Sequence, residues 1–427
     1  MRDEASVASG TARWRAAFLS GFAVSTLFKI WIAATLSPFV DEAFYWQESR
    51  HLAWGYSDLP PLTAWLIRSG ESLAGHGLLG MRWPFLLIGA MLPWLVVEFA
   101  RRSFGARVGW QAGLWCLALP LAGTLGVLAL PDVPLTVAIM LAVLALDSAL
   151  RRQRMRDWIL LGVALAVAWM THYRAAMVML AGLILLLATS RGRAQWRKPG
   201  LWLALGIAAI GLLPIMVSNL HQHGAGIEFQ LVQRNPWRFH ADALVQPLEQ
   251  ALACSPLLYL LLLWAAWKSL RRMEGPCACW DVIAITAATF LGGYFLFGLF
   301  ADDTHFRAHW PLPGYLPLLA ALPVLLAESG WHRWVQRAVV WSAASLAVLL
   351  QLCIFAWLAM AAIPGQSSRL IGFKAYPSHF VGWRAGANMA RQLLRASPPA
   401  TVLVADNFMF ASELAFQLDG RRPVYVL

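Results

Sequence analysis

Apolar runs close to twenty residues long, parted by brief polar bursts, repeat along most of the chain. A run of that length crosses the ~30 Å hydrocarbon core of a bilayer as a helix. The pattern predicts spans at 15–36, 79–100, 108–130, 133–150, 157–171, 174–190, 200–218, 246–267, 280–300, 311–328 and 338–363. The expected class is an all-α polytopic membrane protein with about eleven transmembrane helices. Two stretches depart from the pattern. Residues 37–78 make an outer loop too long for a bare turn. It reads as two helices lying in the interface. In 42–54, Phe44, Tyr45 and Leu52 are expected to dip into lipid while Gln47, Glu48 and Arg50 stay wet. Pro60-Pro61 starts the second, where Leu62, Trp65, Leu66 and Leu73 share a stripe opposite Arg68 and Glu71. After Ile363 the chain turns polar, and 402–405, 408–417 and 424–427 read as strand, helix, strand. The expected division is a membrane domain over 1–363 and a short α/β segment over 364–427. Ending on a strand is the mark of a minimal or truncated domain.

Composition agrees with this class. Of 427 residues, 59% are hydrophobic and only 13% charged. The formal charge of +12 raises nucleic acid as a partner. The basic residues, however, fall in bursts between spans: Arg101, Arg102 and Arg107; Arg151, Arg152, Arg154 and Arg156; Arg191, Arg193, Arg197 and Lys198. That placement suits topology signals and anionic lipid heads, and excludes a nucleic-acid face. With more positive charge inside, the N-terminus is expected to be cytoplasmic. An odd number of spans then puts the C-terminal segment outside. The N-terminus lacks a signal-peptide pattern. Cys277 and Cys279 read as ordinary loop cysteines, with no disulfide framework implied.

The outer loops hold most of the Asp, His and Tyr found between spans. Asp41 and Glu42 open the first loop, and a helix cap is the bland account of both. Asp132, in "LPDVPL", is a second acid at the same depth. "GYSDLPPLTAWL" adds Tyr56 and Asp58, "WMTHYRAAM" adds His172 and Arg174, and "ADDTHFRAHWPLPGY" adds Asp302, Asp303, His305, Arg307 and His309. Acids, histidines and arginines reaching one face from five loops point to chemistry there.

"DEAFYWQESRHLAWGYSDLPPLTAWL" resembles the first-loop signature of bacterial members of the protein mannosyltransferase and aminoarabinose transferase superfamily. The resemblance continues in family order through "RRSFGARVGWQAGLW", "LPDVPLTVAIMLAVLAL", "WMTHYRAAMVML" and "HWPLPGYLPLL". It implies the GT-C fold and transfer of one sugar from a polyprenyl-phosphate carrier to an envelope acceptor. The active site would face the periplasm, in the bacterial inner membrane. By the same resemblance Asp41 is the general base and Glu42 orients it or binds sugar. Asp132, with Tyr56 and Asp58, lies near sugar or acceptor. The chain departs from the aminoarabinose transferases at Phe44 and Leu59, where they carry an Arg and a Lys that bind phosphate. Arg174, His172, Arg307 and His309 are the available substitutes. No metal ligand set or cofactor is expected, beyond weak divalent-cation dependence. A transporter for lipid-linked sugars and an inactive scaffold are the alternative readings. Transporters place polar groups at the midplane and repeat internally, whereas here only Lys29 is clearly intramembrane.

Overall fold

The computed structural model describes residues 2–56, 58–221, 223–233, 237–300, 308–398, 401–420 and 422–426. Helix α1 (Arg2–Thr35) leads into the first outer loop, which holds α2 (Val40–Ser49) and α3 (Leu62–Ala74). Both loop helices were expected. Helix α4 (Leu78–Phe104) returns through the bilayer despite Pro84 and Pro93 inside it. Neighbouring helices satisfy the freed backbone groups of such a helix.

The expected span at 108–130 is only partly helical. Helix α5 (Ala106–Ala118) is followed by the four-residue α6 (Pro120–Gly123), and the chain then runs irregularly to Pro131. Non-helical backbone at membrane depth persists only where protein covers it and supplies partners. Here Lys29 Nζ donates to the Leu125 carbonyl at 2.8 Å, and Ala129 N–H donates to Glu42 Oε1 at 2.6 Å. Gly126 adopts φ +96°, and a Cβ there would meet the Phe85 carbonyl at 2.9 Å. Only glycine fits that backbone and that contact.

Next come α7 (Asp132–Arg152), α8 (Met155–Thr171), α9 (Ala176–Ala188), the short α10 (Ser190–Arg193), α11 (Pro199–Ile210) and α12 (Leu213–His221). A one-turn α13 (Ala225–Glu228), then α14 (Gln246–Cys254) and α15 (Pro256–Leu270), lead to α16 (Cys279–Phe300), α17 (Leu312–Ala327) and α18 (Arg333–Ala362). Each of the eleven expected spans contains a helix. By length and composition, six helices among the described residues suffice to cross a membrane, or eight if each bent pair is one span. The difference lies in short or broken helices. The 3-10 and α segment through Cys254 meets α15 at 113°, where Ser255 takes φ +78° and Pro256 begins a new helix. Two packed cores fill the bundle. The larger runs through α4, α5, α15, α16 and α17, and the smaller joins α7, α8 and α11.

Beyond α18 stand α19 (Trp383–Ala396), β1 (Leu403–Ala405), α20 (Phe408–Gln417) and β2 (Val424–Val426), the strands pairing in parallel. This is the expected strand–helix–strand order. Cys277 and Cys279 are joined as a disulfide, a local cross-link that the sequence reading did not expect. Burial of Cys279 at the start of α16 holds it beside its neighbour.

Candidate active site

The first loop is roofed by the C-terminal segment, and this changes which of its faces are buried. Helix α20 packs along α2: Phe44 meets Phe408 edge-on at 5.6 Å, Trp46 meets Phe416 at 5.1 Å, and Ser412 Oγ donates to Gln47 Oε1 at 3.2 Å. Tyr45 and Trp46 are buried in protein, so the expected dip of Tyr45 into lipid is replaced by packing. Leu52 and Leu73 are exposed, as an interfacial stripe requires. Glu71, expected on the wet face, is buried and gathers Trp46 Nε1 at 2.9 Å, His76 Nδ1 at 2.6 Å and Arg50. Its neighbours His76 and Arg50 supply the positive charge that makes burial of an acid tolerable.

Glu42 lies at the joint of this frame. Its side chain and that of Arg82 are both fully buried. Arg82 Nε and Nη2 reach Glu42 Oε1 and Oε2 at 2.7 and 2.6 Å, a bidentate pair. Arg82 also donates to the carbonyls of Ala33, Leu36 and Ser37. Those carbonyls end α1, where helical backbone leaves acceptors without partners. Glu42 Oε2 receives Phe39 N–H at 2.9 Å. Phe39 is the N-cap of α2, so Glu42, three residues on, does the capping. The cap assigned to Asp41 by the bland account therefore falls to Glu42. Four elements, α1, α2, α4 and the 119–131 connection, meet at this one ion pair.

Asp41 is half-buried one position earlier. Asp41, Tyr45 and Glu48 follow at four and three residues and so share one face of α2. The buried Tyr45 phenol is held well above its ordinary pKa, first by burial and then by the charges of Asp58, Asp41, Glu48 and Asp132. Glu48, expected to stay wet, is pushed up to about 10 by burial, by the charge of Asp58 and by a hydrogen bond with it. Two carboxyls that close share a proton. The spacing of 41, 45 and 48 carries this signal, although only Tyr45 was expected to face lipid, with Glu48 in water and Asp41 as a cap.

Asp132 begins α7, facing this cluster. Its Oδ1 accepts from Arg174 Nη2 at 2.5 Å and from His309 Nε2 at 3.1 Å. The Arg174 guanidinium also lies 5.3 Å from the centroid of the Trp310 ring, a cation–π contact the sequence reading did not single out. His172 caps the turn that presents Arg174, its Nδ1 accepting Arg174 N–H at 3.1 Å. Asp58 receives Gln230 Nε2 on its carbonyl at 2.7 Å. Tyr56 is tied to its own turn: its hydroxyl donates to the His51 carbonyl and accepts from Ala53 N–H, both at 3.3 Å. The structure therefore joins Asp132, Arg174 and His309 in one cluster, with His172 capping the turn of Arg174, while Asp41 and Asp58 act on the Tyr45 phenol and Tyr56 is held in its own turn. Arg307, like Asp302, Asp303 and His305, lies outside the described residues. Among the described residues no three of His, Cys, Asp and Glu are grouped to hold a metal ion.

A helical membrane bundle whose acids and cations converge under a small α/β roof defines a GT-C fold. Over residues 58–217 the chain matches the dolichyl-phosphate-mannose-protein mannosyltransferase family. It is 28% identical over 267 residues to the lipid A galacturonosyltransferase RgtD of Rhizobium johnstonii, covering 59% of this chain and 55% of that protein. The chain thus spans about half the length of this curated relative. The structure of ArnT from Cupriavidus metallidurans in the apo state superposes with a TM-score of 0.67 at 19% identity, over 97% of this chain and 86% of that one. The same protein bound to undecaprenyl phosphate gives 0.66 at 17%, over 97% and 85%. The likeness to the two ArnT structures shows that the chain has their fold.

Proposed function

We propose that the protein transfers one monosaccharide from a polyprenyl-phosphate carrier to an acceptor hydroxyl at the periplasmic face of the bacterial inner membrane. The carrier is supported by the ArnT structure bound to undecaprenyl phosphate, and a glycolipid acceptor by the lipid A substrate in the name of RgtD. The observation that carries the reading is the Arg174–Asp132–His309 cluster; Asp41, half-buried on α2, acts with Asp132 on the Tyr45 phenol.

In this reading Asp41 takes the proton of the acceptor hydroxyl as its oxygen attacks the anomeric carbon. The bond from that carbon to the phosphate oxygen breaks, and configuration inverts. Negative charge then gathers on the leaving lipid phosphate, where Arg174 and His309 receive it. Asp132 holds Arg174 and His309 until the phosphate takes its place. Glu42 acts as a positioning residue, since its carboxylate is spent on Arg82 and two backbone N–H groups. The test is transfer by the purified protein in vesicles holding lipid A and undecaprenyl-phosphate sugars, read as a mass increase in the acceptor. Binding of the carrier lipid without transfer from any neutral, amino or uronic sugar would overturn the reading.

A further inference from the structure

We propose that a groove on the C-terminal segment is an acceptor subsite that binds a saccharide, resting on the glycosyl-transfer reading above. The groove is an open one of about 530 Å³ between the 378–383 stretch and the start of α20, with Val40 in its lining. Val40 is the residue before Asp41, and consecutive Cα atoms lie about 3.8 Å apart. That is less than the breadth of a sugar ring. A saccharide lying in the groove is therefore held against the helix that carries the proposed base.

The lining has the chemistry of sugar recognition. Trp383 and Phe410 face one another, ring centroids 6.2 Å apart at 43°, and give flat apolar surfaces for the C–H faces of a pyranose. Asp406, Asn407 and His379 supply acceptors and donors for hydroxyls. These groups are held in place. Asn407 Nδ2 donates to Asp406 Oδ1 at 2.8 Å, and Asn407 Oδ1 accepts Phe410 N–H at 2.9 Å as the cap of α20. Trp383 Nε1 donates to the His379 carbonyl at 3.2 Å, and the His379 ring leans on Phe39 at 5.5 Å. Phe39 is in turn the residue whose N–H binds Glu42. The one carboxylate on this lining, that of Asp406, disfavours phosphate and other anions. A neutral, hydroxyl-rich ligand fits it.

The test uses the full chain in nanodiscs with N,N′-diacetylchitobiose, a neutral disaccharide (chitobiose below), as probe. Saturation-transfer NMR at about 10 mM, ten times a weak 1 mM Kd, should show contact with the sugar ring protons. Trp383→Ala should weaken binding about tenfold, the loss of roughly one aromatic contact. Asp406→Asn, an exposed and nearly isosteric change, guards against misfolding and should weaken it about threefold. In a transfer assay both variants should raise KM for acceptor while leaving undecaprenyl-phosphate binding at the parental value. Sugar added to lipid A in vesicles but not to free chitobiose assigns the groove to a glycolipid headgroup. Sugar added to chitobiose itself assigns it to a soluble polysaccharide. Absence of saturation transfer in the parent, or equal signal in parent and both variants, overturns the subsite. Saturation transfer without any glycosyl transfer leaves the subsite standing and sinks the glycosyltransferase reading instead.

Discussion

Arg174 and Asp132 meet on a single oxygen: Arg174 Nη2 lies 2.5 Å from Asp132 Oδ1, which His309 Nε2 also reaches at 3.1 Å. A guanidinium so held is pre-aimed, and a lipid phosphate can displace the carboxylate without reorganising it. Arg174→Ala is expected to lower undecaprenyl-phosphate affinity about tenfold or more as well as turnover, because it removes leaving-group charge. Asp132→Asn frees Arg174, so carrier binding should hold or tighten while turnover falls. A double-mutant cycle should show coupling of about 0.5–3 kcal/mol. Additive effects on carrier binding would separate the two residues.

Asp41→Asn keeps the size of the side chain and removes its basicity. Loss of a general base lowers rates about 10²–10⁴-fold. Since Glu42 closes the cap of α2, the helix does not depend on Asp41, and the melting temperature should be unchanged. Normal turnover by the purified variant would move the base to another acid, Asp132 first.

Glu42→Gln should behave in the opposite way. Breaking a buried ion pair by removing one partner costs about 3–5 kcal/mol, because the other charge is left buried alone. Arg82 would retain only the carbonyls of Ala33, Leu36 and Ser37. The variant is expected to unfold at a clearly lower temperature and to lose activity with stability, which thermal melting followed by residual activity would show. A variant as stable as the parent but slow would instead make Glu42 part of the chemistry.

How far the sequence reached depends on which forces a linear pattern reports. The interfacial pair of helices, the polar α/β segment and the convergence of Asp132, Arg174 and His309 follow from periodicity and from which loops share a face. Burial of Glu42 and Glu71 does not, because their partners are distant in the chain: Arg82 and Ala129 for Glu42, and for Glu71 Trp46 and His76, on which Phe416 of α20 packs. A local pattern treats that face as open to water or lipid. The irregular 119–131 connection was equally hidden. Its composition is apolar enough for a helix, and only the partners Lys29, Glu42 and Gly89 reveal that backbone leaves the helical path there.

Topology and metal use can be checked together. Single cysteines replacing Ser72 and Arg154, both exposed, should label from opposite sides with an impermeant thiol reagent in a cysteine-free background. Labelling from one side would overturn the N-in arrangement. Transfer should survive EDTA, given no metal ligand set among the described residues. Loss restored by a divalent ion would bring in Asp302, Asp303 and His305.

The roof itself should respond to pH through Glu413. This acid is fully buried on α20, and burial, then the charge of Glu42, raise its pKa to about 9 against the pull of Arg82. A carboxyl with a raised folded pKa binds its proton more tightly in the docked state. Its contribution is therefore complete below the ordinary carboxylate range and is lost as pH rises toward about 9. His76 adds to this trend. Its Nε2 lies 3.2 Å from Asp419 on the C-terminal segment, and its hydrogen bond to Glu71 raises its pKa. That contribution, present below the ordinary histidine value, is likewise lost as pH rises through the raised one. The other charges on these contacts, Glu42 with Arg82 and Arg50 with Glu71, are already paired. Hydrogen exchange over Ala411–Leu418 should accordingly speed up from neutral pH toward pH 9, beyond the intrinsic base-catalysed rate. Glu413→Gln cannot ionise, so its protection should fall less over the same range, leaving the slope due to His76. If both proteins lose protection in parallel, Glu413 takes no part in docking the roof.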